Sequence, residues 1–166
     1  MAAIRDRIAQ RRPADPEMLR EMVNRAARTL PEWQAALDAV QTLDVIGDGG
    51  PVGYWGVSMG TMNGVPFVAA EPRITAAVFG LAGLNPANEA MAQAARSITI
   101  PVEFTLQSDD EIVDRGAGVA LFDAFGSREK TMHINPGGHL GIPYFEAASW
   151  ERFFTRHLGA AVPAPA

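Results

Sequence analysis

The stretch YWGVSMGTMNG, residues 54–64, sets Gly56, Gly60 and Gly64 around a serine, directly after the apolar run PVGYWGVS. A sheet wants side chains to pack at such a place, and a glycine in a strand costs about 0.5–1 kcal/mol in backbone freedom. Gly56, Ser58 and Gly60 fit G-x-S-x-G, the pattern of a sharp strand-to-helix turn that exposes a serine hydroxyl. An elbow this tight holds the serine at strained dihedrals, so the residues two positions away must be small for strand and helix to approach. The plain alternative is a serine that caps an ordinary helix, and in a glycine-rich chain the pattern arises by chance on the order of a few per cent of the time. The flanking elements therefore decide the reading.

Working outward, a helix follows the elbow at once, with Pro66 inside it and a kink expected there. ITAAVFGLAG reads as a second buried strand, and Asn85-Pro86 caps an alanine-rich helix that lasts to about Arg96. IPVEFTLQS is a third strand, EIVDRGAGVALFDAF a helix with an internal glycine, EKTMHINPG a fourth strand and PYFEAASWERFFTRHL an amphipathic closing helix. Before the elbow, Asp15-Pro16 opens a helix to about Arg28. Thr29-Leu30-Pro31-Glu32 reads as a capping box that starts another, with Trp33, Ala36, Leu37, Val40 and Leu43 on one face that must cover something. Strands separated by helices are joined by right-handed crossovers, so the expected fold is α/β, a parallel sheet of about four strands with helices on both faces. Residues 15–158 form that domain, 1–14 are an arm or helix before it, and the Ala/Pro-rich 159–166 is a disordered tail. Glu103, mid-strand in a sheet buried on both faces, needs a partner or a solvated face.

At 166 residues the chain can bury a core without staples, and it has no cysteine, which removes thiol nucleophiles, Cys-ligated zinc and redox pairs. A net charge of -5 argues against nucleic acid or an anionic membrane as partner, so the expected partner is a small molecule. With no secretory signal and no run long enough to span a bilayer, the expected compartment is the cytoplasm.

In parallel sheets of this kind, ligands sit beyond the carboxyl ends of the strands. Three of the four strand ends carry parts of one chemistry: Ser58 after the first, Asp109, Asp110 and Glu111 after the third, His139 after the fourth. Gly83 to Asn85 follow the second. A serine hydroxyl needs a base, and histidine has the right pKa for the task. His157 lies in the last turn of the closing helix, where a cation suits the dipole, and His133 sits within a strand. His139, in the loop NPGGHLGIP, is free to reach across to Ser58. The base needs an orienting carboxylate. Spacing leaves Asp109 and Asp110 open, with Glu111 expected in the helix that starts there.

These motifs, taken from the helix before the elbow to the closing helix, resemble the α/β-hydrolase superfamily, in its branch of dienelactone-hydrolase-like and related esterases. The order Ser, Asp, His is the one that superfamily uses. The resemblance places the acid in a pattern G-x-x-D-x-x-V, which Asp110 and Val113 match with Gln107 in the glycine's place, and so selects Asp110 over Asp109. It implies that the Met59 amide supplies half of an oxyanion hole. Thr61 stands where many relatives have a further glycine.

The other half of that hole would come from a loop after an earlier strand. Relatives carry three or four strands before the elbow where this sequence supplies helices, so the expected domain is the C-terminal part of such a fold. Its first strand would present an apolar edge that residues 1–45, another copy in a homodimer, or a preceding half must cover. About fifty residues between Ser58 and Asp110 leave no room for a lid, which suits small or exposed acyl groups. The expected function is a serine hydrolase of carboxylic esters or thioesters with Ser58, His139 and Asp110 in catalytic roles, and with no metal or organic cofactor. The alternative is a catalytically weak fragment, or a ligand-binding or self-associating module of the same fold.

Overall fold

The structure, a computed structural model, describes residues 16–47, 49–85 and 88–159. The order of elements is α1 (Pro16–Gln41), β1 (Val52–Val57), α2 (Met59–Ala70), β2 (Ile74–Gly80), α3 (Glu89–Ser97), β3 (Val102–Gln107), α4 (Arg115–Ala124), β4 (Lys130–Asn135) and α5 (Phe145–Leu158). The strands pair in parallel in the order β1-β2-β3-β4. Stepping one way across the sheet with right-handed crossovers puts the three linking helices on one face. The expected α/β sheet is what forms, with α5 on the other face.

The register explains how each face is filled. Tyr54 and Gly56 align with Ala77 and Phe79, and these with Val102 and Phe104, then Met132. This row packs against Val65, Val68, Met91, Ala95 and Leu121 of α2, α3 and α4 to form the core, in which Phe79 stacks on Phe125 at 5.3 Å. Residues one step on face α5. Gly53 lies under Phe154 and Leu158, where a Cβ would stand 2.6 Å from Leu158, and Trp55 meets Trp150 edge to face at 5.3 Å. Thr105 accepts from Trp150 Nε1 at 3.4 Å. Glu103, Thr105 and Gln107 of β3 and Asn135 of β4 are buried beneath α5, so this face is polar where the other is apolar. Glu103 finds its neighbours there, as described below.

Several local expectations change. The boundary at Thr29-Pro31 is no boundary: α1 runs unbroken through Pro31, giving up only the one backbone bond that proline cannot donate. Its apolar stripe is only partly covered. Trp33 touches Phe67 at 6.1 Å and Leu30 joins the core, but Trp33, Val40 and Leu43 remain exposed. The helix is pinned instead by charge, because Arg73 donates to Asp38 and Gln41 on α1 and, in a paired grip, to buried Glu71 at the end of α2. Arg73 holds the Glu71 carboxyl below its usual range.

The cap of α3 is Asn88, whose side chain accepts from the Met91 amide, and not Asn85; Pro86 lies outside the described residues. Likewise α4 begins at Arg115, capped by Asp114, so Glu111 stands in the loop before it. The arm at 1–14 and the tail at 160–166 also lie outside the described residues. Among the described residues β1 has no neighbour on its outer side, and no helix is long and apolar enough to cross a membrane.

Candidate active site

Ser58 stands between β1 and α2 at φ 55 and ψ -114, one of two non-glycine residues with positive φ among those described. A β-carbon in that region is strained, and the surroundings must impose it. Five contacts around the elbow do so. The Ser58 amide donates to the Gly80 carbonyl at 2.8 Å, prolonging the β1-β2 pairing, while its own carbonyl accepts from Met62 to begin the helix. Thr61, fully buried, accepts from the Gly80 amide at 2.8 Å, and its hydroxyl lies 2.6 Å from the Gly80 carbonyl and 2.9 Å from that of Gly56. The residue that replaces a glycine thus stitches the elbow to β2.

The two elbow glycines are not equivalent. A Cβ at Gly56 would stand 2.8 Å from the Tyr54 hydroxyl and 3.0 Å from the Gly60 backbone, so glycine is demanded there. At Gly60 a Cβ meets nothing within 4 Å, which corrects the expectation that both flanking positions are sterically closed. Gly64, one turn further, is the other tight position, with the Tyr54 ring 2.3 Å from its notional Cβ. Tyr54 is wedged between strand and helix and donates to the Gly60 carbonyl at 2.8 Å. Burial pushes its phenol up to about 12.

Across the rim, Ser58 Oγ lies 2.8 Å from His139 Nε2, and His139 Nδ1 lies 2.8 Å from Asp110 Oδ2. The carboxylate can only accept, so Nδ1 carries the proton and Nε2 is left to accept from the serine hydroxyl. Asp110 Oδ1 also accepts from the amides of Ile112 and Val113, at 2.8 and 2.9 Å, which gives the D-x-x-V spacing a physical basis. Burial alone would raise the Asp110 carboxyl, but the bonds from His139, Val113 and Ile112 outweigh it and hold the group below the usual aspartate range. His139 and Asp110 are both buried, the side chains 6% and 2% exposed.

The loop that carries His139 is held by the two carboxylates beside Asp110. Asp109 accepts from the Gly137 amide at 3.0 Å, and Glu111 accepts from the His139 amide at 3.0 Å. Gly137 takes φ 119, and a Cβ at Gly138 would come within 2.6 Å of Glu111 Oε2. Three consecutive acids therefore face one loop, and only Asp110 reaches the imidazole. Glu111 and Asp109 as loop clamps, and Tyr54 and Thr61 as supports of the elbow, are what sequence reasoning missed. The readable signal was three acids after one strand and a glycine pair after the next. Met59 occupies the first position of α2, where backbone amides have no intrahelical acceptor. In the loop after β2, the Leu84 amide donates to the Ala117 carbonyl, and Gly83 lies tight on α4.

The other two histidines lie away from this rim. His133, on β4, has its Nδ1 2.9 Å from Glu146 Oε2. His157 lies on the Phe153 ring at 4.7 Å, with Glu129 3.6 Å from its Nε2.

Solved structures share this arrangement of elements. A cold-adapted esterase from an Arctic intertidal metagenomic library, in its zinc-bound structure, is 37% identical with a TM-score of 0.73, and the match covers 80% of this chain and 59% of the esterase. An esterase from Pyrococcus furiosus matches at 13% identity and TM-score 0.65, over 80% of this chain and 63% of its own. An acetyl xylan esterase from Paenibacillus sp. matches at 15% and 0.61, over 75% and 50%. This chain thus spans less than two thirds of the length of each. No protein-family model and no curated protein matches the sequence.

Proposed function

We propose that this chain, which has the α/β-hydrolase fold, acts as a serine hydrolase of carboxylic esters or thioesters. The observation that carries the reading is the hydrogen-bonded line from Ser58 through His139 to Asp110, on a serine held at positive φ. In it, Ser58 Oγ attacks the acyl carbonyl as His139 Nε2 takes the hydroxyl proton, and Asp110 steadies the imidazolium. The oxyanion that forms is stabilised by the Met59 amide at the start of α2. The C–O or C–S bond to the leaving group then breaks, and His139 returns its proton to that group. Water, deprotonated by the same nitrogen, releases the acid and restores Ser58. The 37% identity to an esterase supports this reading.

A weaker form of the same chemistry has its own support. β1 lacks an outer neighbour among the described residues, which is where a loop bearing a second oxyanion donor would stand. One such donor is worth about 3 kcal/mol, so turnover roughly a hundredfold or more below that of a two-donor site is expected. Met59 and Leu140, next in the chain to Ser58 and His139, are exposed, in keeping with an open site for small acyl groups. The test is labelling by a fluorophosphonate, with hydrolysis of a short-chain nitrophenyl ester in parallel. Rapid labelling that Ser58→Ala abolishes supports the hydrolase. A chain that neither labels nor turns over overturns it in favour of a ligand-binding module, and labelling with negligible turnover selects the weak form.

A further inference from the structure

The sheet face beneath α5 holds a second imidazole cluster that the hydrolase chemistry leaves unused. Glu103 on β3, His133 on β4 and Glu146 in the first turn of α5 converge there, with one potential ligand atom from each lying within 4.8 Å of the others. His133 Nδ1 is 2.9 Å from Glu146 Oε2 and 3.9 Å from Glu103 Oε1. The two carboxylates are 2% and 6% exposed, and Glu103 Oε1 has no hydrogen-bond partner. One ring nitrogen carries at most one proton and cannot serve both acids. Ser149 bonds the Glu103 carboxyl, while burial, the larger influence, pushes that group above its usual range. Arg152 lines the same recess and its charge favours the ionised Glu103, but less strongly than burial disfavours it. An unpartnered buried carboxylate oxygen facing an imidazole and a second acid is a costly arrangement for a purely structural network.

We propose that Glu103, His133 and Glu146 bind a divalent cation, with zinc the best match to the donors, as a clip that fastens α5 to β3 and β4. One imidazole nitrogen and two carboxylate oxygens suit zinc, whose ligands stand about 2.0–2.2 Å from the metal and so roughly 3.4 Å from one another in a tetrahedron. The separations of 2.9 and 3.9 Å bracket that spacing. Binding takes Nδ1 in its unprotonated form, with the imidazole proton on Nε2, and displaces any proton held by the acids. Asn135 already donates to Glu146 Oε1 at 2.8 Å, the kind of outer contact that orients a ligating carboxylate. His133 is 30% exposed and borders a recess open to solvent, so water completes the shell. The clip stands apart from the Ser58 line, because its residues lie on the face of the sheet and not at its rim.

The experiment is calorimetric titration of the chelator-stripped full chain with Zn²⁺, with thermal melts alongside. One equivalent bound, and a melting temperature raised by zinc, is the expected result. Glu103→Gln should weaken binding by more than roughly tenfold, since losing even an outer partner costs that much. His139→Ala should bind as the parent does. Should Glu103→Gln fail to fold, His133→Ala, at a partly exposed position, carries the same test. No stoichiometric binding overturns the proposal, as does binding that survives both Glu103→Gln and His133→Ala, or binding that His139→Ala abolishes.

Discussion

Two histidines, one within β4 and one in the loop beyond it, meet buried carboxylates through the same ring nitrogen, and they sit in different surroundings. His133 points from the middle of β4 into the layer between sheet and α5, where Glu146 and Glu103 surround Nδ1. His139 stands in the loop beyond the strand, where Asp110 occupies Nδ1 and Nε2 faces Ser58 at 2.8 Å. Residue type is the same in the two clusters, and what separates them is the rim. Past the strand ends an imidazole can reach a group on another strand at the place where ligands of such sheets bind.

The comparison can be broken most directly at Ser58. Ser58→Ala and His139→Ala should each lower kcat for a nitrophenyl ester by about 10⁴–10⁶-fold, and Asp110→Asn by about 10⁴-fold, while His133→Ala, remote from the reacting atoms, stays within roughly twofold. A His133 variant as damaged as the His139 variant would mean that the clusters are not separate. Glu111→Ala comes next in size. Freeing the His139 amide should cost about 10–100-fold in kcat with KM little changed, the signature of a misplaced base.

Packing at the elbow sharpens the contrast on the stability scale. Gly56→Ala drives a methyl group into Tyr54 and should destabilise by about 1–3 kcal/mol in urea melts. Gly60→Ala enters open space in a helix and should be neutral or stabilising by up to about 1 kcal/mol.

The smallest effects are in pH dependence, where the clusters should have opposite signs. The folded pKa of Asp110 is depressed, so the stability it contributes is present above the ordinary aspartate range and is lost as pH falls through the lowered value. The folded pKa of Glu103 is raised, so its contribution is complete below the ordinary glutamate range and is lost as pH rises through the raised value. In chelator, the advantage of the parent over Asp110→Asn should therefore shrink toward acid, and its standing against Glu103→Gln should worsen toward neutral pH. Denaturant titrations across pH 3–8 measure both.

Much of this was legible in the chain. Four apolar runs alternating with helices left a parallel sheet as the only economical arrangement, and the glycines around Ser58 marked the elbow. Helix starts were harder to place, because Asn85 and Asn88, or Glu111 and Asp114, offer similar capping chemistry within a turn of each other, and the choice falls to where the preceding loop packs. Pro31 misled for a related reason: a long helix with other contacts tolerates one missing backbone bond. The polar face under α5 was written as alternation in VEFTLQ and KTMHIN, where every second residue is polar or His. Reading those runs as strands buried on two apolar faces hid it, and left Glu103 as an isolated oddity.

From the elbow onward, local sequence by itself determined the kinds and order of the elements, since periodicity and glycine placement act over a few residues and need no distant partner. It also determined that a hydroxyl, acids and an imidazole would fall beyond strand ends. Only the tertiary structure decided which acid meets which histidine. Asp109, Asp110 and Glu111 are chemically alike and adjacent, and a fraction of a turn in the loop sends one to the imidazole and the other two to backbone amides. The same packing decided that a side chain at Gly56 would meet Tyr54 and the Gly60 backbone while one at Gly60 would meet open space, a difference that the motif alone does not show.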